Sequence, residues 1–456
     1  TLPVLNRRCV EAALKTAFAL NCTISESCTF DRKHYFYADL PSGYQITQHL
    51  NPIATNGHID FIVFDEFKPS DLYSKRVALT QVQLEQDSGK SLHDGANNRS
   101  LIDLNRCGVA LMEFVFAPTI YTAVEAVSLV KELSLILKKI DCCTCKMEEG
   151  ALRVDVNISV HKPGESLGTR CEIKNLNSFN SMQAAIKYEA LRQINVLENG
   201  GTVVNETRAF NVRSQETVPM RDKEVVQDYR FMPEPNLPPV IIKKTVDKES
   251  ETNPNIVVID KVINQLPILP KEERERLSNE YGLSSKNCYK LVENDKLCNF
   301  FEHIMKEKPM RDANALSCFL LVELMISLRQ CKTKFENAHI SREAVGECFD
   351  LYYEKTITAN TACNVLNLVI KGEKTRPMNI VDENGWRAVN DEQKKREICM
   401  KAIEVKKHYA ERYKKKGQNY SLKQLTMFIK QYSNDAVDEE DAIRILDEIL
   451  QPPKKN

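Results

Sequence analysis

Leu152-Arg-Val-Asp-Val-Asn-Ile-Ser-Val160 is the stretch whose reading decides the fold. Side chains alternate along a strand, so Leu152, Val154, Val156, Ile158 and Val160 share one face. Arg153, Asp155, Asn157 and Ser159 share the other. A loop with Pro163, Gly164 and Gly168 follows, and Thr169 to Lys174 alternates again: Arg170, Glu172 and Lys174 against Cys171 and Ile173. The pattern predicts an antiparallel hairpin with one apolar face and one face carrying both charge signs. An ordinary solvated face explains such a hairpin as well as a binding face does. The next residues, Asn175-Leu176-Asn177-Ser178, are turn and cap formers that lead into a helix. The charged face therefore ends at a helix N-terminus, a setting that suits an anion or a phosphate.

Working outward, apolar residues are 42% of the 456 and charged residues 28%, the balance of a soluble globular protein of about three domains. Lys and Arg number 63, as do Asp and Glu, so the net charge is zero. A nucleic-acid partner would need a local basic patch. The cysteines number 15, an odd count in apolar and helical contexts, which points to reduced thiols in a reducing compartment. Cys142-Cys143-Thr144-Cys145 has no second pair at metal spacing and reads as buried or free cysteine. The longest apolar run, Ala315 to Leu328, carries Glu323 and reads as too short for a membrane span. The chain opens at Thr1 without a targeting peptide, and an N-terminal segment is expected to precede it.

Apolar spacing predicts helices over residues 7 to 20, 119 to 140 and 179 to 198, the last closed by Gly200-Gly201. Short strands are expected around 57 to 64, 76 to 86 and 109 to 116. Pro233, Pro235, Pro238 and Pro239 end this α+β region. Beyond residue 245 strand signals vanish, and Gly372 to Pro377 reads as a linker. The boundaries expected are thus 1–245, 246–372 and 373–456. In the last segment Lys406, Lys407, Arg412, Lys414, Lys415 and Lys416 cluster with Tyr409, Tyr413 and Tyr420 interleaved. A solvated helix face and a phosphate-contacting patch with stacking aromatics both fit.

No Walker-type or dinucleotide-type glycine loop occurs, nor a Gly-x-Ser-x-Gly elbow or a His-Glu-x-x-His pair. Carboxylates are more informative. Glu85, Asp87 and Glu113 lie in strand-like segments, and Glu148 and Glu149 stand just before the charged hairpin. Acidic oxygens with Arg and Lys nearby suit a Mg-nucleotide site.

Several segments together are far more specific. Phe30-Asp-Arg-Lys-His-Tyr-Phe-Tyr-Ala-Asp-Leu-Pro-Ser-Gly-Tyr-Gln-Ile-Thr-Gln48 resembles a signature of the B subunit of the glutamyl-tRNA(Gln) amidotransferase, the GatB family. So do Leu84-Glu-Gln-Asp-Ser-Gly-Lys90, Ile102-Asp-Leu-Asn-Arg106, Leu111-Met-Glu113, Met147 to Asn157, Glu172 to Ser178, and Asp228-Tyr-Arg-Phe-Met-Pro-Glu-Pro235. They run in family order, and the helical remainder resembles the family more loosely.

The resemblance implies an α+β cradle around an antiparallel sheet, similar to glutamine synthetase, then an all-α helical domain and a small helical tail that touches tRNA. It implies a heterotrimer with the amidase, or A, subunit plus a small third one, of C type or, in fungal mitochondria, F type. The reaction implied uses ATP and Mg2+ to phosphorylate the γ-carboxylate of Glu on Glu-tRNA(Gln). Glutamine-derived ammonia then displaces the phosphate. Phosphoryl transfer needs metal carboxylates and cationic clamps, and the residues above include both.

On this basis the transfer chemistry is expected at Arg153, Asp155, Asn157, Arg170, Glu172 and Lys174. ATP is expected at Lys33, Tyr35, Lys90 and Glu149, and Mg2+ at Gln86 and Glu113, with Glu149 and Asp155 in or near the surrounding shell. The tRNA backbone is expected at Lys406, Lys407, Lys414, Lys415 and Lys416. Three departures from the family stand out: its opening Gly-Leu-Glu-x-His segment is missing, Gln86 replaces a metal-binding Glu, and the tail lacks a Gly-rich stretch. Such divergence fits a mitochondrial, fungal-type member working in the matrix, with the bacterial cytoplasm as the alternative setting. The competing reading is a tRNA-binding assembly scaffold whose ATP site has degraded at Gln86.

Overall fold

The computed structural model describes residues 2–35, 37–65, 68–220, 229–264, 266–338 and 340–452. Phe36 and Asp228, at two of the quoted motifs, lie outside them. The chain forms two compact units, Thr1–Glu273 and Arg274–Asn456.

The first unit is built on a four-stranded antiparallel sheet. Ala54–Asp65 pairs with the long strand Lys68–Gln86, which pairs in turn with Ala110–Phe116, and the short Thr23–Ile24 lies at the edge. Alternation sorts its faces. Val82 and Leu84 point into a core with Ile59, Phe61, Val63, Leu129, Leu133 and Leu137. Gln81, Gln83 and Glu85 point the other way. The helices that cover the core face are Arg7–Ala19 and Ala123–Lys139, as their apolar spacing predicts. The second begins with a capping box: Thr122 accepts from the Glu125 N–H while Glu125 reaches back, so two orphan donors are satisfied at once.

A second sheet places Arg230–Pro233, Asp31–His34 and Tyr44–Thr47 side by side. Arg32 grips the buried Glu234 through two bonds, at 2.7 and 3.1 Å, which ties the ends of the sequence motifs together. The predicted charged hairpin forms as Val154–Ile158 against Cys171–Leu176. Its apolar face, with Ile158, Ile173 and Leu176, packs on Met182 and Ala185 of the helix Phe179–Glu198. Ser178 caps that helix by accepting the Ser181 N–H, and Gly200 beyond its end takes a left-handed φ of 74°.

Three expectations are corrected here. The hairpin is irregular: Asn175, at φ 63°, sits in a bulge opposite Asp155, because Asn tolerates a left-handed conformation that most other side chains do not. Not every pairing is antiparallel. Cys171–Leu176 runs parallel to Thr207–Asn211, and Val240–Lys243 runs parallel to Ile256–Val258. The latter pair also carries strand structure past residue 245, where helix alone is expected from the sequence. Those three strand residues are apolar and buried on every side, so they show no alternation to read.

The second unit is helical. One buried cluster joins Leu291, Phe301, Leu316, Phe319, Phe349 and Val365; a second joins Cys399, Tyr413, Leu425, Ile429 and Leu446. Ala313–Gln330 is a continuous helical run long and apolar enough, by length and composition, to cross a membrane; the reading of it as too short is corrected. It widens into a π turn at Leu320–Leu324, and Leu316, Phe319, Leu320, Leu324 and Leu328 lie in the first cluster, so it is placed as a core helix. The fifteen cysteines all lie in described residues, and none forms a disulfide there.

Candidate functional site

On the polar face of the large sheet, Gln83 stands directly opposite Glu113 in the strand register. Its amide nitrogen donates to Glu113 Oε2 at 2.6 Å and to Glu85 Oε1 at 2.9 Å. Gln81, two residues back on the same face, donates to the Gln83 amide oxygen, which turns the NH2 group toward the carboxylates. Neighbouring strand Tyr44–Thr47 supplies the rest. Thr47 donates to Glu85 Oε1 at 2.7 Å, and Gln45 donates to Glu85 Oε2 at 3.3 Å and to the Gln86 carbonyl at 2.8 Å. Tyr35 in turn donates to Gln45 Oε1 at 3.2 Å. Gln45, Thr47 and Gln83 are buried, whereas Glu113 opens to solvent at its outer edge. The floor is thus a pair of carboxylates braced from below by amides and a hydroxyl.

Electrostatics follow from that packing. Protein atoms crowding the Glu113 carboxyl, and then the charge of Glu85, push its pKa up to about 7; Lys33 and the bond from Gln83 act in the opposite sense. Lys33 lies 4.4 Å from the Tyr229 ring centroid and 5.9 Å from that of Tyr35. Burial, followed by the neighbouring Tyr229, Asp39 and Glu85, raises the Tyr35 phenol well above its usual range. Lys33, Tyr35 and Glu113, expected separately for nucleotide and metal, therefore meet in one electrostatic neighbourhood.

Gln86 does not join them. It is the next residue after Glu85 and alternation turns its side chain to the opposite face, where its amide nitrogen approaches Gly108. The expectation that Gln86 and Glu113 line one site is corrected: Glu85 is the partner of Glu113. Three braces, Gln45, Thr47 and Gln83, are not singled out by the sequence reading. The period-2 row Gln81-x-Gln83-x-Glu85 was the signal that could have found Gln83, because a polar row on a strand whose other face is core must face a site or solvent.

The hairpin cations divide. Lys174 bonds Asp155 at 3.2 Å and lies 3.5 Å from Glu172. Burial would lower its pKa, but those two carboxylates hold it above the ordinary value. Arg153 does not pair across the hairpin; it donates to Asp87 Oδ2 at 2.8 Å. Asn157 faces Glu172 in the register, and Arg170 and Lys90 are exposed. Glu149 is held by Lys146 at 2.7 Å in an exposed pair. In the helical unit, Lys407–Lys416 is a helix closed by Gly417 at φ 57°. Lys414, Lys415 and Lys416 are its exposed last turn, while Tyr413 is buried and donates to Asp447 at 2.7 Å. Lys406 Nζ lies 5.8 Å from the Phe428 ring and Lys407 is exposed.

These features define a class: a mixed α/β protein with a solvent-open, amide-braced acidic site on an antiparallel sheet, followed by a helical region. Residues 1–248 match the GatB/GatE catalytic domain, and residues 299–450 match the GatB domain. The chain is 46% identical over 407 residues to the mitochondrial glutamyl-tRNA(Gln) amidotransferase B subunit of Danio rerio, covering 89% of this chain and 73% of that one. Identity to the Homo sapiens protein of the same name is 44% over 406 residues, with the same coverage of 89% and 73%. The B subunit of an aspartyl/glutamyl-tRNA(Asn/Gln) amidotransferase from Orientia tsutsugamushi is 40% identical over 392 residues, 86% of this chain and 76% of the relative. The chain belongs to the GatB family of amidotransferase B subunits.

Proposed function

We propose that the face carrying Glu85 and Glu113 activates the γ-carboxylate of Glu on tRNA(Gln) by phosphorylation from ATP, for amidation by ammonia. By its family, the chain is one component of a tRNA-dependent amidotransferase. The finer chemistry is our reading of the site. The observation that carries it is the carboxylate pair on a single buried amide donor, with Lys33 and two tyrosines beside it.

The donor set fits Mg2+. Two carboxylates close enough to repel one another, oriented by neutral donors and open to solvent on one side, suit a hard divalent cation. Glu85 and Glu113 would hold it, and bound there it would neutralise charge on transferring phosphoryl oxygens. Gln83, Gln45 and Thr47 keep the carboxylates oriented without adding charge. Lys33 supplies a cation for phosphate oxygens. In the first step a γ-carboxylate oxygen of the substrate attacks the terminal phosphorus and ADP leaves. In the second, ammonia attacks the acyl carbon and phosphate leaves, and the ammonium proton passes to solvent or a carboxylate.

The rest of the proposal follows the family. We place the reaction in a glutamine-synthetase-like cradle, expected over 1–245, followed by a helical domain expected over 246–372 and a tail expected over 373–456 that touches tRNA. Two separate buried clusters favour a helical domain distinct from a tail, but Val257 and Val262 pack in the core of the first unit and Ile380 and Val381 in the first helical cluster, which moves both boundaries later in the chain. The partners inferred are the amidase (A) chain of the complex, a small third chain of C or F type, and Glu-tRNA(Gln). The mitochondrial names of the relatives favour the matrix. The scaffold reading loses its main support, because Gln86 turns away from the pair and its amide leaves both carboxylates in place. Phosphate release from ATP, in the presence of Glu-tRNA(Gln) and the amidase chain, tests the proposal. Glu113→Gln should lower it by orders of magnitude in a protein that melts normally; near-native release would remove Glu113 from the site.

A further inference from the structure

Asp87 ends the polar row that runs through Gln83 and Glu85, roughly 7 Å beyond Glu85 by strand rise. It is only 5% exposed. Two guanidinium groups converge on its Oδ2: Arg153 at 2.8 Å and Arg106 at 3.7 Å. The second distance is too long for a hydrogen bond. Arg106 Nε is buried and has no hydrogen-bond partner among the described residues, and Nη2 bonds the Gly89 carbonyl at 3.2 Å. One carboxylate thus stands between two fixed cations, with a buried N–H left over. One carboxylate balances one of the two cations, so the cluster keeps a net positive charge that suits an anion.

The backbone holds Arg106 there through a tight turn. The Asp87 N–H donates to Val109 O at 2.7 Å, and the Gly108 N–H donates to Asp87 O at 3.0 Å. Gly108 has φ 88°, a conformation that lets the chain fold Arg106 back over the strand end. Gly150, at φ 73°, leaves room beside Arg106 Nη1: a Cβ there would lie 4.0 Å from it. Arg106 and Arg153 remain partly open to solvent, at 38% and 41% of their side chains, so an anion can reach both.

We propose that Arg106 and Arg153 form a twin-guanidinium seat for a phosphoryl oxyanion, with Asp87 as the positioning residue that draws both together. A planar guanidinium binds two oxygens of a tetrahedral oxyanion at once, which an ammonium cannot do. The inference rests on the phosphoryl-transfer reading of the neighbouring carboxylates and adds Arg106 to it. The phosphate can belong to the nucleotide or to the tRNA backbone, and the seat is the same chemistry in either case.

The experiment uses the assembled complex, with Arg106→Gln, Arg106→Lys and, as a control, Arg99→Gln in the exposed Arg99–Asp94 pair. The probes are a nonhydrolysable ATP analogue with Mg2+ and deacylated tRNA, each measured for binding beside a melting curve. Arg106→Gln should weaken the analogue tenfold or more and leave tRNA affinity unchanged, and Arg99→Gln should change nothing. Loss of tRNA affinity with intact analogue binding would keep the seat and assign its phosphate to the tRNA. Should Arg106→Gln melt early, Arg106→Lys restores the charge without the fork: it should recover stability but not analogue affinity. Recovery of both, or folded Arg106→Gln that binds both probes like the parent, overturns the proposal. A parent complex whose phosphate release ignores Glu-tRNA(Gln) would instead sink the reaction proposed above, while the binding comparison still reads the seat.

Discussion

Replacing Gln83 with Leu removes the brace and keeps the volume. Gln83 is 3% exposed and its NH2 group serves Glu113 at 2.6 Å and Glu85 at 2.9 Å. Hydrogen bonds to charged groups contribute about 1.5–3 kcal/mol each, so the gross loss is roughly 3–6 kcal/mol. Two effects offset it. Burying Leu returns about 1.5–3 kcal/mol, and the carboxylates regain water at the open edge or take up a proton. A net destabilisation of about 1–3 kcal/mol is expected, within reach of a folded variant. The functional cost should be larger. Without the shared donor nothing fixes the two carboxylates at one separation, and losses of this kind lower metal affinity by about 10- to 100-fold. The assay is the Mg2+ concentration at half-maximal ATP-dependent phosphate release, taken with a melting curve. A right-shifted Mg2+ curve with little change in tRNA affinity is the expected result. A folded Gln83→Leu protein with the parent's Mg2+ curve would refute the reasoning, because the brace would then orient nothing that a cation uses.

Replacing Lys414, Lys415 and Lys416 together with Ala should weaken cognate and non-cognate tRNA alike and flatten the salt dependence, by about 0.7 to 0.9 in log–log slope for each phosphate no longer neutralised; a filter-binding series that superimposes on the parent would reduce the cluster to a solvated helix end. Glu189 is fully buried and, although burial alone would raise it, bonds from Arg192, Gln193 and Thr217 hold its pKa below the ordinary 4.5. A depressed carboxylate stabilises the fold above its unfolded pKa and loses that contribution as pH falls through the folded value, so the melting-temperature gap between parent and Glu189→Gln should be wide at pH 7 and close below about pH 4.5; a gap constant across that range would contradict the assignment. Asn175→Val puts a β-branched residue at φ 63°, costs about 1–3 kcal/mol, and should loosen the Lys174–Asp155 contact, whereas Asn175→Gly should be nearly neutral by thermal denaturation.

The parts legible in the sequence were those with a period. The strand at 154–158, its partner at 171–176 and the helix at 179–198 follow from alternation and from Ser178 and Gly200 at the helix ends. Illegible parts depend on which segment lands beside which. Along the hairpin, the carboxylates nearest to Arg153 are Asp155 and Glu172. The fold instead brings Asp87 to it from 66 residues away, and no local spacing encodes that. Gln86 reads as a ligand from its position in a motif, yet the pleat sends it to the face opposite Glu85. Ile256–Val258 is hidden for a third reason: a short strand buried on all sides carries no polar face to betray it.

The same contrast explains how the site is built. Its charged groups sit in period-2 rows on two strands, Gln81-Gln83-Glu85-Asp87 and Leu111-Glu113-Val115, whose opposite faces are core. A strand whose back is fixed by Val82, Leu84, Met112 and Phe114 cannot slip by one residue without burying those carboxylates and exposing that apolar set. The hydrophobic face therefore sets the register, and the register sets the spacing of Glu85 against Glu113. Amides and a hydroxyl rather than cations brace the pair, so no bracing group carries a charge that would cancel it. The cations stand farther along the row, at Arg106 and Arg153 beside Asp87, and on the neighbouring strand at Lys33. On the proposed reading, the carboxylate pair on the strand would take the metal and the guanidinium groups beside Asp87, just past the end of that strand, would take the phosphate, so the two would be held side by side on a rigid frame.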